Sequence, residues 1–357
     1  MTQAANLGAL GTNVSSSGIT QAAGGGTAGT AGVTGFKNRI INGDMTIAQR
    51  GTSAVTTDGS FPVDRFQLQV VNANLSAVQS STAPAGFNFS TAITVTSTTS
   101  SSSIDRSSLF QFIEGFNTAD LGFGTANAKT VSVSFWARST VAGTYSGNLS
   151  NAGGTRTYIF TYTLAANTWT YVTATIAGDT GGTWVGATNA VGLCVRPIML
   201  NCGSSFQGTA GSWIAGDARG TSGSTYLATT NSGAVFNVTG VQLEVGSTAT
   251  SFDYLPYGTE LQLCQRYYQI RNFPGDYACI WTGDLVSATS NNYFYVEPFP
   301  VAMRAAPTGT IINSNRNGFD APNFTRVAVS GMGVTATNNA SGSRMYFQFN
   351  YTVSAEL

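Results

Sequence analysis

Apolar and polar residues alternate along much of the chain, which is the pattern of half-buried β-strands. The first clear set is Phe66, Leu68 and Val70, and Ile93 and Val95 share a face of a later strand. Further alternating sets are Val131, Val133 and Phe135; Tyr158, Phe160 and Tyr162; and Trp169, Tyr171 and Thr173. Gly, Asn, Asp and Pro separate these runs, so the pattern predicts a β-sandwich or jelly roll.

The alternation changes frame once near the end of this region. Phe236 and Val238 have the opposite parity to the run that begins at Val241. Such a frame change requires one extra residue in the strand. We therefore predict a β-bulge at Thr239 and Gly240, with Gly240 adopting the unusual backbone conformation.

One short helix is predicted after this region, from Thr259 to Ile270. Thr259 and Gln262 have the spacing of a capping box, and three apolar residues fall on one face: Leu261, Cys264 and Tyr268. Beyond the helix the alternation resumes, which predicts a second, smaller β-domain. Its predicted strands are Tyr293–Glu297, Gly309–Ile312, Arg326–Val329 and the long run that contains Met345, Phe347, Phe349, Tyr351 and Val353.

Residues 1–35 contain Gly, Ala and Thr and almost no side chain large enough to bury. Such a segment does not fold alone, so we expect an extended N-terminal arm that docks on a partner. The predicted organisation is an anchoring arm at 1–35, a jelly-roll domain at 36–257, a connecting helix at 258–271 and a small β-domain at 272–357. The predicted fold class is all-β, a jelly-roll β-sandwich followed by a smaller β-sandwich.

Composition narrows the possible functions. Only 9% of the residues are charged, against about 25% in an average globular protein, and hydroxyl and amide side chains are abundant. This surface suits a protein packed into an assembly. The formal net charge is zero and there is no basic cluster, which argues against nucleic acid as a partner. No apolar run has the roughly 20 residues that a membrane span needs, so we expect no membrane insertion.

The chain has no His, the commonest general base and zinc ligand, which argues against most hydrolase and zinc-enzyme mechanisms. The four Cys residues lack metal-binding spacing and stand in or beside apolar segments: Cys194, Cys202, Cys264 and Cys279. We predict that they are buried, free thiols. A disulfide between Cys194 and Cys202 is the alternative.

Sugar binding requires aromatic faces with neighbouring polar side chains. Trp136 points away from the inward set of its strand, Trp184 follows a Gly-rich turn, and Trp213 lies in a loop with Asp217. These four residues are the candidate glycan-binding residues. The alternative is that each Trp belongs to a core or a subunit interface.

Acidic residues raise two further alternatives. A glycosidase would need a carboxylate pair such as Asp105 with Glu114 or Asp179 with Asp217, although no spacing singles out either pair. A structural calcium ion would need oxygen ligands, which Asp44, Asp64, Glu244 and Asp253 could supply. No catalytic residue or cofactor is predicted, and we expect a protein that is not an enzyme.

Several strings resemble a domain that recurs in bacteriophage fibre and appendage proteins, a jelly roll of the carbohydrate-binding-module type. These strings are NRIINGDMTIAQRG at 38–51, VSVSFWARS at 131–139, WTYVTATIAGDTGGTW at 169–184 and GVQLEVGSTATSFDYLPYGTELQLCQRYY at 240–268. The string FPVAMRAAPT at 299–308 is similar to the opening of a small β-domain that often follows in such phage proteins.

The resemblance implies a structural subunit of a phage virion, a fibre or a head or tail appendage, often a homotrimer. Its N-terminus would be anchored on other virion proteins and its β-domains would project outward towards the host surface. The alternative is a glycan-binding module that recognises a host polysaccharide. A polysaccharide depolymerase is a further alternative, but the periodic signature of the long β-helices that such enzymes often use is missing.

Overall fold

The alternating runs form strands in a computed structural model of the chain, which describes residues 36–285, 291–340 and 342–357. Two units are distinguished along the chain, Met1–Lys37 and Asn38–Leu357. The predicted anchoring arm at 1–35 lies outside the described residues. The predicted domain boundaries at residues 36, 258 and 272 stay predictions.

The first sandwich is built from two antiparallel sheets. Its strands are β1 (Gln67–Gln69), β2 (Asn74–Ser80), β3 (Ser90–Ser97), β4 (Arg106–Glu114), β5 (Val131–Ser139), β6 (Gly143–Ser150), β7 (Arg156–Leu164), β8 (Thr170–Ile176), β9 (Val191–Cys202), β10 (Trp213–Ala215) and β11 (Val235–Val245). One sheet has the order β1-β4-β9-β6-β7-β10 and the other has the order β2-β3-β11-β5-β8. Single 3-10 turns occur at Gly115–Asn117, Ala119–Leu121 and Ser204–Phe206.

The core of this sandwich consists of the inward sets that the alternation predicts. Residues with no exposed surface include Phe66, Leu68, Ile93, Val95, Val131, Val133 and Phe135. Full burial of a side chain of this size stabilises the fold by about 1.5–3 kcal/mol relative to exposure. The period-two pattern therefore identified the inward face of strands such as β3 and β5. On β8 the predicted set lies on the other face, because Tyr171 and Thr173 are exposed and Val172 and Ile176 pack inward.

Two helices are described, α1 (Leu227–Thr230) and α2 (Tyr257–Gln265). The predicted extent of the second helix, Thr259–Ile270, is wrong at both ends. The helix begins after Pro256 without a side-chain cap, so the predicted capping box is not formed. Residues Tyr268–Arg271 form strand β12 instead. The backbone of β12 finds partners in the last strand of the chain, and this pairing outweighs the weak helical pattern.

The smaller sandwich follows α2 and contains strands β12 to β18. The remaining strands are β13 (Cys279–Leu285), β14 (Asn292–Pro298), β15 (Thr308–Asn317), β16 (Asn323–Ala328), β17 (Gly331–Thr337) and β18 (Gly342–Ser354). One sheet has β18 at its centre, paired with β12, β13 and β15, and the other has the order β14-β17-β16. The long alternating run is confirmed, because every second residue from Met345 to Val353 is buried in the core. The described chain is thus the predicted all-β protein.

Charged residues join the last strand to the first sandwich. Arg65 is 2% exposed, pairs with Glu356, and donates to the carbonyl of Phe112 at 2.7 Å. Its guanidinium lies 3.4 Å from the ring centroid of Tyr267. Arg50 also binds Glu356, at 3.0 Å. The backbone after β18 is therefore held by two cations of the first sandwich.

The four Cys residues are buried and free, as predicted. Burial raises the pKa of Cys202 and of Cys279 to about 11, so both thiols stay protonated at neutral pH. The alternative disulfide between Cys194 and Cys202 is not formed.

Glu260 on α2 gives the fold a pH dependence. Its carboxylate accepts a hydrogen bond from the backbone N–H of Asn42. The pKa of Glu260 is raised to about 7, chiefly by burial; the Asn42 hydrogen bond opposes this shift, and the carboxylates of Asp44 and Asp253 add to it. The folded protein therefore binds more protons than the unfolded chain between about pH 4.5 and 7, so this group's contribution to stability is lost as the pH rises through that window.

We expect Glu260→Gln to remove this loss. The difference in free energy of unfolding, variant minus parent, should increase by about 2 kcal/mol from pH 4.5 to pH 8. The size follows because one pKa unit corresponds to about 1.4 kcal/mol and Glu260 is only partly buried. Urea unfolding at several pH values measures the difference. Asp320→Asn, which changes an exposed carboxylate, is the control. The prediction would be contradicted if the free energies of unfolding of Glu260→Gln and the parent changed with pH in parallel.

Candidate functional site

The outer face of the five-stranded sheet carries an aromatic pair on β5 and the edge strand β8. Val133 and Phe135 of β5 point into the core, so Trp136 points outward. Trp136 stands directly opposite Tyr171 of β8 in the strand register, and their ring centroids are 5.3 Å apart. Tyr171 is 42% exposed. The alternation of two neighbouring strands thus presents two aromatic rings side by side to solvent.

The predicted β-bulge lies beside this pair. The register between β11 and β5 shifts between Thr239 and Gln242, and Gly240 has a φ of +64°. A Cβ atom at Gly240 would lie 2.7 Å from the ring of Phe87, which belongs to the segment between β2 and β3. The bulge therefore lets an aromatic ring pack directly on the strand backbone.

Gly240→Ala should disturb both the bulge and the ring that covers it. A left-handed conformation costs a non-Gly residue about 1–2 kcal/mol, and the added methyl must also displace Phe87. We expect a loss of about 2 kcal/mol in the free energy of unfolding, measured by urea denaturation. Gly223→Ala, at a position with open space and no positive φ, should change stability by less than about 0.5 kcal/mol. Equal effects of the two substitutions would contradict this account.

Three rings form a wall next to the bulge. Phe87 lies 5.2 Å from Phe252 and 5.6 Å from Tyr254, measured between ring centroids. Phe252 and Tyr254 meet edge to face at 4.8 Å. The Tyr254 hydroxyl donates to the carbonyl of Gly86 at 2.9 Å, which fixes the wall to the loop that carries Phe87.

The wall and the aromatic pair enclose a groove of about 390 Å³. Polar residues of the lining include Thr250 and Ser251. The Tyr171 hydroxyl donates to the carbonyl of Thr250 at 3.3 Å. We call this feature the aromatic groove. Its lining residues are Ala85, Phe87, Ser134, Trp136, Tyr171, Gly240, Ala249, Thr250, Ser251, Phe252 and Tyr254. The volume lies within the range of small-molecule sites, about 300–1,000 Å³.

None of the residues that line the aromatic groove is charged, but carboxylates contact or neighbour some of them. Glu244 accepts hydrogen bonds from the backbone N–H and the hydroxyl of Thr250, both at 2.7 Å. Asp253 lies between the wall residues Phe252 and Tyr254 in the sequence. The pKa of Tyr254 is raised, first by burial and second by the carboxylate of Asp44.

Trp184 and Trp213 lie together in a different cluster. Their ring centroids are 5.4 Å apart, and both rings meet Phe123 edge to face. The indole N–H of Trp184 donates to Asp179 at 3.2 Å, and that of Trp213 donates to the carbonyl of Ala177 at 2.7 Å. Both rings pack against the core of the first sandwich. Their donors are already used within the protein, which is typical of structural Trp residues.

A smaller depression of about 220 Å³ lies against one side of Trp184. Its lining also includes Phe123, Leu121 and Leu193, with the hydroxyl-bearing Thr118 and Thr125 at its margin. Trp136 is not among its residues. The structure thus separates the three candidate Trp residues into two places and puts only Trp136 in the larger groove.

The candidate carboxylates are engaged in structural contacts. Asp217 binds Arg219 through both oxygens, at 2.7 and 2.8 Å. Asp179 binds Arg156 in the same way, at 2.7 and 2.5 Å. Burial opposes ionisation of Asp179, but its hydrogen bonds with Arg156 and the N–H of Gly181 leave its pKa lowered.

The other suggested pair is also held by neighbours. Asp105 accepts from the side-chain amide of Asn72 at 2.7 Å and from the N–H of Ser102 at 2.9 Å. Both oxygens of Glu114 lie 3.2 Å from Arg266. Each of these carboxylates therefore has a place in the fold that explains its presence without catalysis.

The candidate calcium ligands do not converge. Within the described ranges no group of three His, Cys, Asp or Glu residues has a geometry that could hold a metal ion. Asp44 accepts from Thr46, and Asp64 accepts from Gln49 and faces Arg50 at 3.6 Å.

None of the described helices has the length and apolar character that crossing a bilayer requires.

Comparisons with known proteins find likeness at the level of structure. No protein-family model matches the sequence, and no curated protein matches it. Similar solved structures include a putative sugar binding protein from Bacteroides thetaiotaomicron, with 13% identity over 58% of this chain and 100% of that chain and a TM-score of 0.34. The C-terminal family 22 carbohydrate binding module of Clostridium thermocellum Xyn10B is 12% identical over 57% of this chain and 99% of that chain, with a TM-score of 0.29.

A phage protein is among the similar structures. The enzymatically active domain of tailspike protein 4 from bacteriophage CBA120 is 12% identical over 59% of this chain and 22% of that chain, with a TM-score of 0.29. Because these TM-scores are low, the fold rests on the sheets described above and not on the likeness. The chemistry of the site rests on the aromatic groove.

Proposed function

We propose that this protein binds a glycan in the aromatic groove. The observation that carries the proposal is the pair of half-buried Trp136 and exposed Tyr171 on the outer sheet face, with the rings of Phe87, Phe252 and Tyr254 beside it. Aromatic rings in an aqueous groove offer apolar faces that match the C–H face of a sugar ring. An exposed patch of this kind on a folded protein is typical of a binding surface.

Polar atoms at the groove fit sugar hydroxyls. Ser134, Thr250 and Ser251 line it, and so do Tyr171 and Tyr254 with their phenol hydroxyls. A site of mainly aromatic lining with a few fixed polar groups is the usual composition of a small-molecule pocket. The groove size favours one or two sugar rings of a longer chain over an extended polymer.

The test is retention of full-length protein on an array of bacterial surface glycans, followed by titration of the retained glycans. The intrinsic fluorescence of Trp136 should change on binding, and a variant with Trp136→Phe should lose most of that signal. Retention that is unchanged in Trp136→Ala would place binding outside the aromatic groove. No retention of any glycan would overturn the proposal.

We further propose that the chain carries this groove as a non-enzymatic structural subunit of a phage virion, a fibre or a head or tail appendage. The support is the set of sequence strings that resemble phage appendage proteins, together with a content of charged residues of only 9%. Residues 1–35 would dock on other virion proteins, and the preferred assembly is a homotrimer. Edge strands with little charge gain protection when they are buried against symmetry mates.

Solution mass by light scattering tests the assembly. Trimers of both the full chain and a chain that begins at Phe36 would place assembly in the β-sandwiches and leave residues 1–35 as an anchor. Monomers in both cases would overturn the trimer. Release of reducing ends from a retained polysaccharide would overturn the non-enzymatic part of the proposal and favour a depolymerase.

A further inference from the structure

An arginine stands on the same sheet face as the aromatic groove. Arg138 follows Trp136 by two residues on β5, and the residues that alternate with them, Phe135 and Ala137, belong to the core. The side chains of Trp136 and Arg138 therefore both point outward. Because two residues of a strand span about 7 Å, a ligand on the Trp136 ring needs to extend by only about one sugar unit to reach Arg138.

Two asparagines hold the guanidinium of Arg138 in place. Its Nε and Nη2 donate to the backbone carbonyl and the side-chain oxygen of Asn167, at 3.3 and 3.0 Å. Its Nη1 donates to the side-chain oxygen of Asn237 at 3.4 Å. Asn237 is 2% exposed, and its amide nitrogen donates to the Ser90 hydroxyl at 3.2 Å, which turns its oxygen towards Arg138. These partners are neutral, so they orient the guanidinium without offsetting its charge.

The Arg138 guanidinium also keeps two donors. A guanidinium has five N–H groups, and the three contacts use one each on Nε, Nη1 and Nη2, so each terminal nitrogen has one N–H left. Among the described residues, no carboxylate forms an ion pair with Arg138. By contrast, Arg156 and Arg219 of the same sandwich each bind a carboxylate through two nitrogens. Arg138 can therefore bind an anion from outside the protein.

The carboxylate of Glu244 does not offset this charge. Glu244 stands opposite Ser132 in the β5–β11 register, six residues or about 20 Å along the strand from Arg138. Its side chain is 3% exposed, and its oxygens accept from the backbone N–H and the hydroxyl of Thr250. An anion bound to Arg138 therefore meets little repulsion from Glu244.

We propose that Arg138 extends the aromatic groove into a subsite for acidic sugars. One sugar ring packs on Trp136 and Tyr171, and a carboxylate of the same or the adjoining sugar accepts hydrogen bonds from both terminal nitrogens of Arg138. This inference rests on the proposed glycan binding and names its ligand class. Hydrogen bonds between a guanidinium and a carboxylate are roughly twice as strong as neutral ones, and a guanidinium is only weakly hydrated.

The first experiment compares a matched pair of ligands. An acidic glycan retained by the full-length protein is compared with the same glycan after reduction of its carboxylates to primary alcohols. At low salt the acidic form should bind at least about tenfold more tightly. The ratio should shrink at about 0.5 M salt, where the screening length falls to a few ångströms. A ratio near one at low salt would overturn the proposal.

The glycan array separates this inference from the proposed function. Retention on acidic glycans that is lost in Trp136→Ala supports both. Retention confined to neutral glycans would overturn the acidic subsite and leave glycan binding intact. Absence of retention on every glycan would overturn the proposed function, and the subsite with it.

Variants of Arg138 test whether the residue binds the ligand or only supports the fold. Arg138→Gln should bring the affinity ratio of the two ligands near one, with little change for the reduced glycan. Arg138→Lys should keep part of the ratio, because an ammonium keeps the charge but not the two terminal nitrogens. Arg326→Gln, at an exposed arginine of the smaller sandwich, is the matched control and should leave the ratio unchanged.

An equal loss of affinity for both ligands in Arg138→Gln would show a purely structural role and overturn the proposal. Urea unfolding shows whether that variant folds. If it does not, Arg138→Lys and the salt series on the parent protein decide the question, and an unchanged ratio in both would overturn the subsite.

Discussion

A Trp136→Ala variant should bind the retained glycan about thirtyfold more weakly, a loss of about 2 kcal/mol. Trp136 supplies the largest ring of the aromatic groove, and its removal also leaves Tyr171 without its 5.3 Å partner. The fold should survive, because Trp136 lies on the outer face and the core set of β5 is untouched. Titration by fluorescence or calorimetry measures the affinity, and thermal unfolding confirms the fold.

The other two Trp residues provide matched controls. Trp184→Ala and Trp213→Ala should each lower the free energy of unfolding, because both rings pack against the core and against one another at 5.4 Å. Neither should change glycan affinity more than twofold. A loss of affinity confined to Trp184→Ala would move the site to the smaller depression beside that ring, and the aromatic groove would then have no assigned ligand.

A Glu356→Ala variant should lose about 3–5 kcal/mol in the free energy of unfolding, because it removes one partner of a buried ion pair. Arg65 is 2% exposed and would stay buried with its charge unpaired, apart from the Tyr267 ring and the Phe112 carbonyl. Arg50 loses a 3.0 Å contact to the same carboxylate. Urea unfolding measures the change, with attention to whether both sandwiches still unfold together.

An exposed ion pair of the same protein calibrates this effect. Arg39 and Asp120 are 2.7 Å apart, but the Asp120 side chain is 45% exposed. Asp120→Ala should therefore cost no more than about 1 kcal/mol. A loss of that small size in Glu356→Ala would show that solvent reaches Arg65 easily. The contact between the end of the chain after β18 and the first sandwich would then owe its stability to apolar packing.

The fold could be predicted from the sequence to the extent that burial follows a period of two. The inward residues of β5 and β18 are those of the alternating sets, and the frame change at Gly240 corresponds to a real bulge. These features are local, so the sequence contains them directly. The error over Tyr268–Arg271 has a cause that is not local. Strand β12 depends on pairing with residues of β18 that lie 80 to 86 positions away, which no local pattern reveals.

The candidate site could be predicted only in part. Trp136 was identifiable because the parity of its strand directs it outward. Tyr171 could have been added by pairing β5 with β8, since both strands alternate and the two rings share a register position. Phe87 gave no signal, because it reaches the groove from a loop. Trp184 and Trp213 looked equivalent to Trp136 in the sequence, and their internal hydrogen bonds become visible only in three dimensions.

The two ends of the smaller sandwich lie side by side. The chain enters it through Tyr268 and leaves it through Ser354, and these two residues stand opposite each other in the β12–β18 register. One step back, the N–H of Ala355 donates to the carbonyl of Tyr267 at 2.7 Å. A domain whose two ends lie side by side can be replaced by another domain of any size, because the replacement needs only two adjacent strands at the same position. Recombination could therefore join the sandwich that carries the aromatic groove to many different second domains.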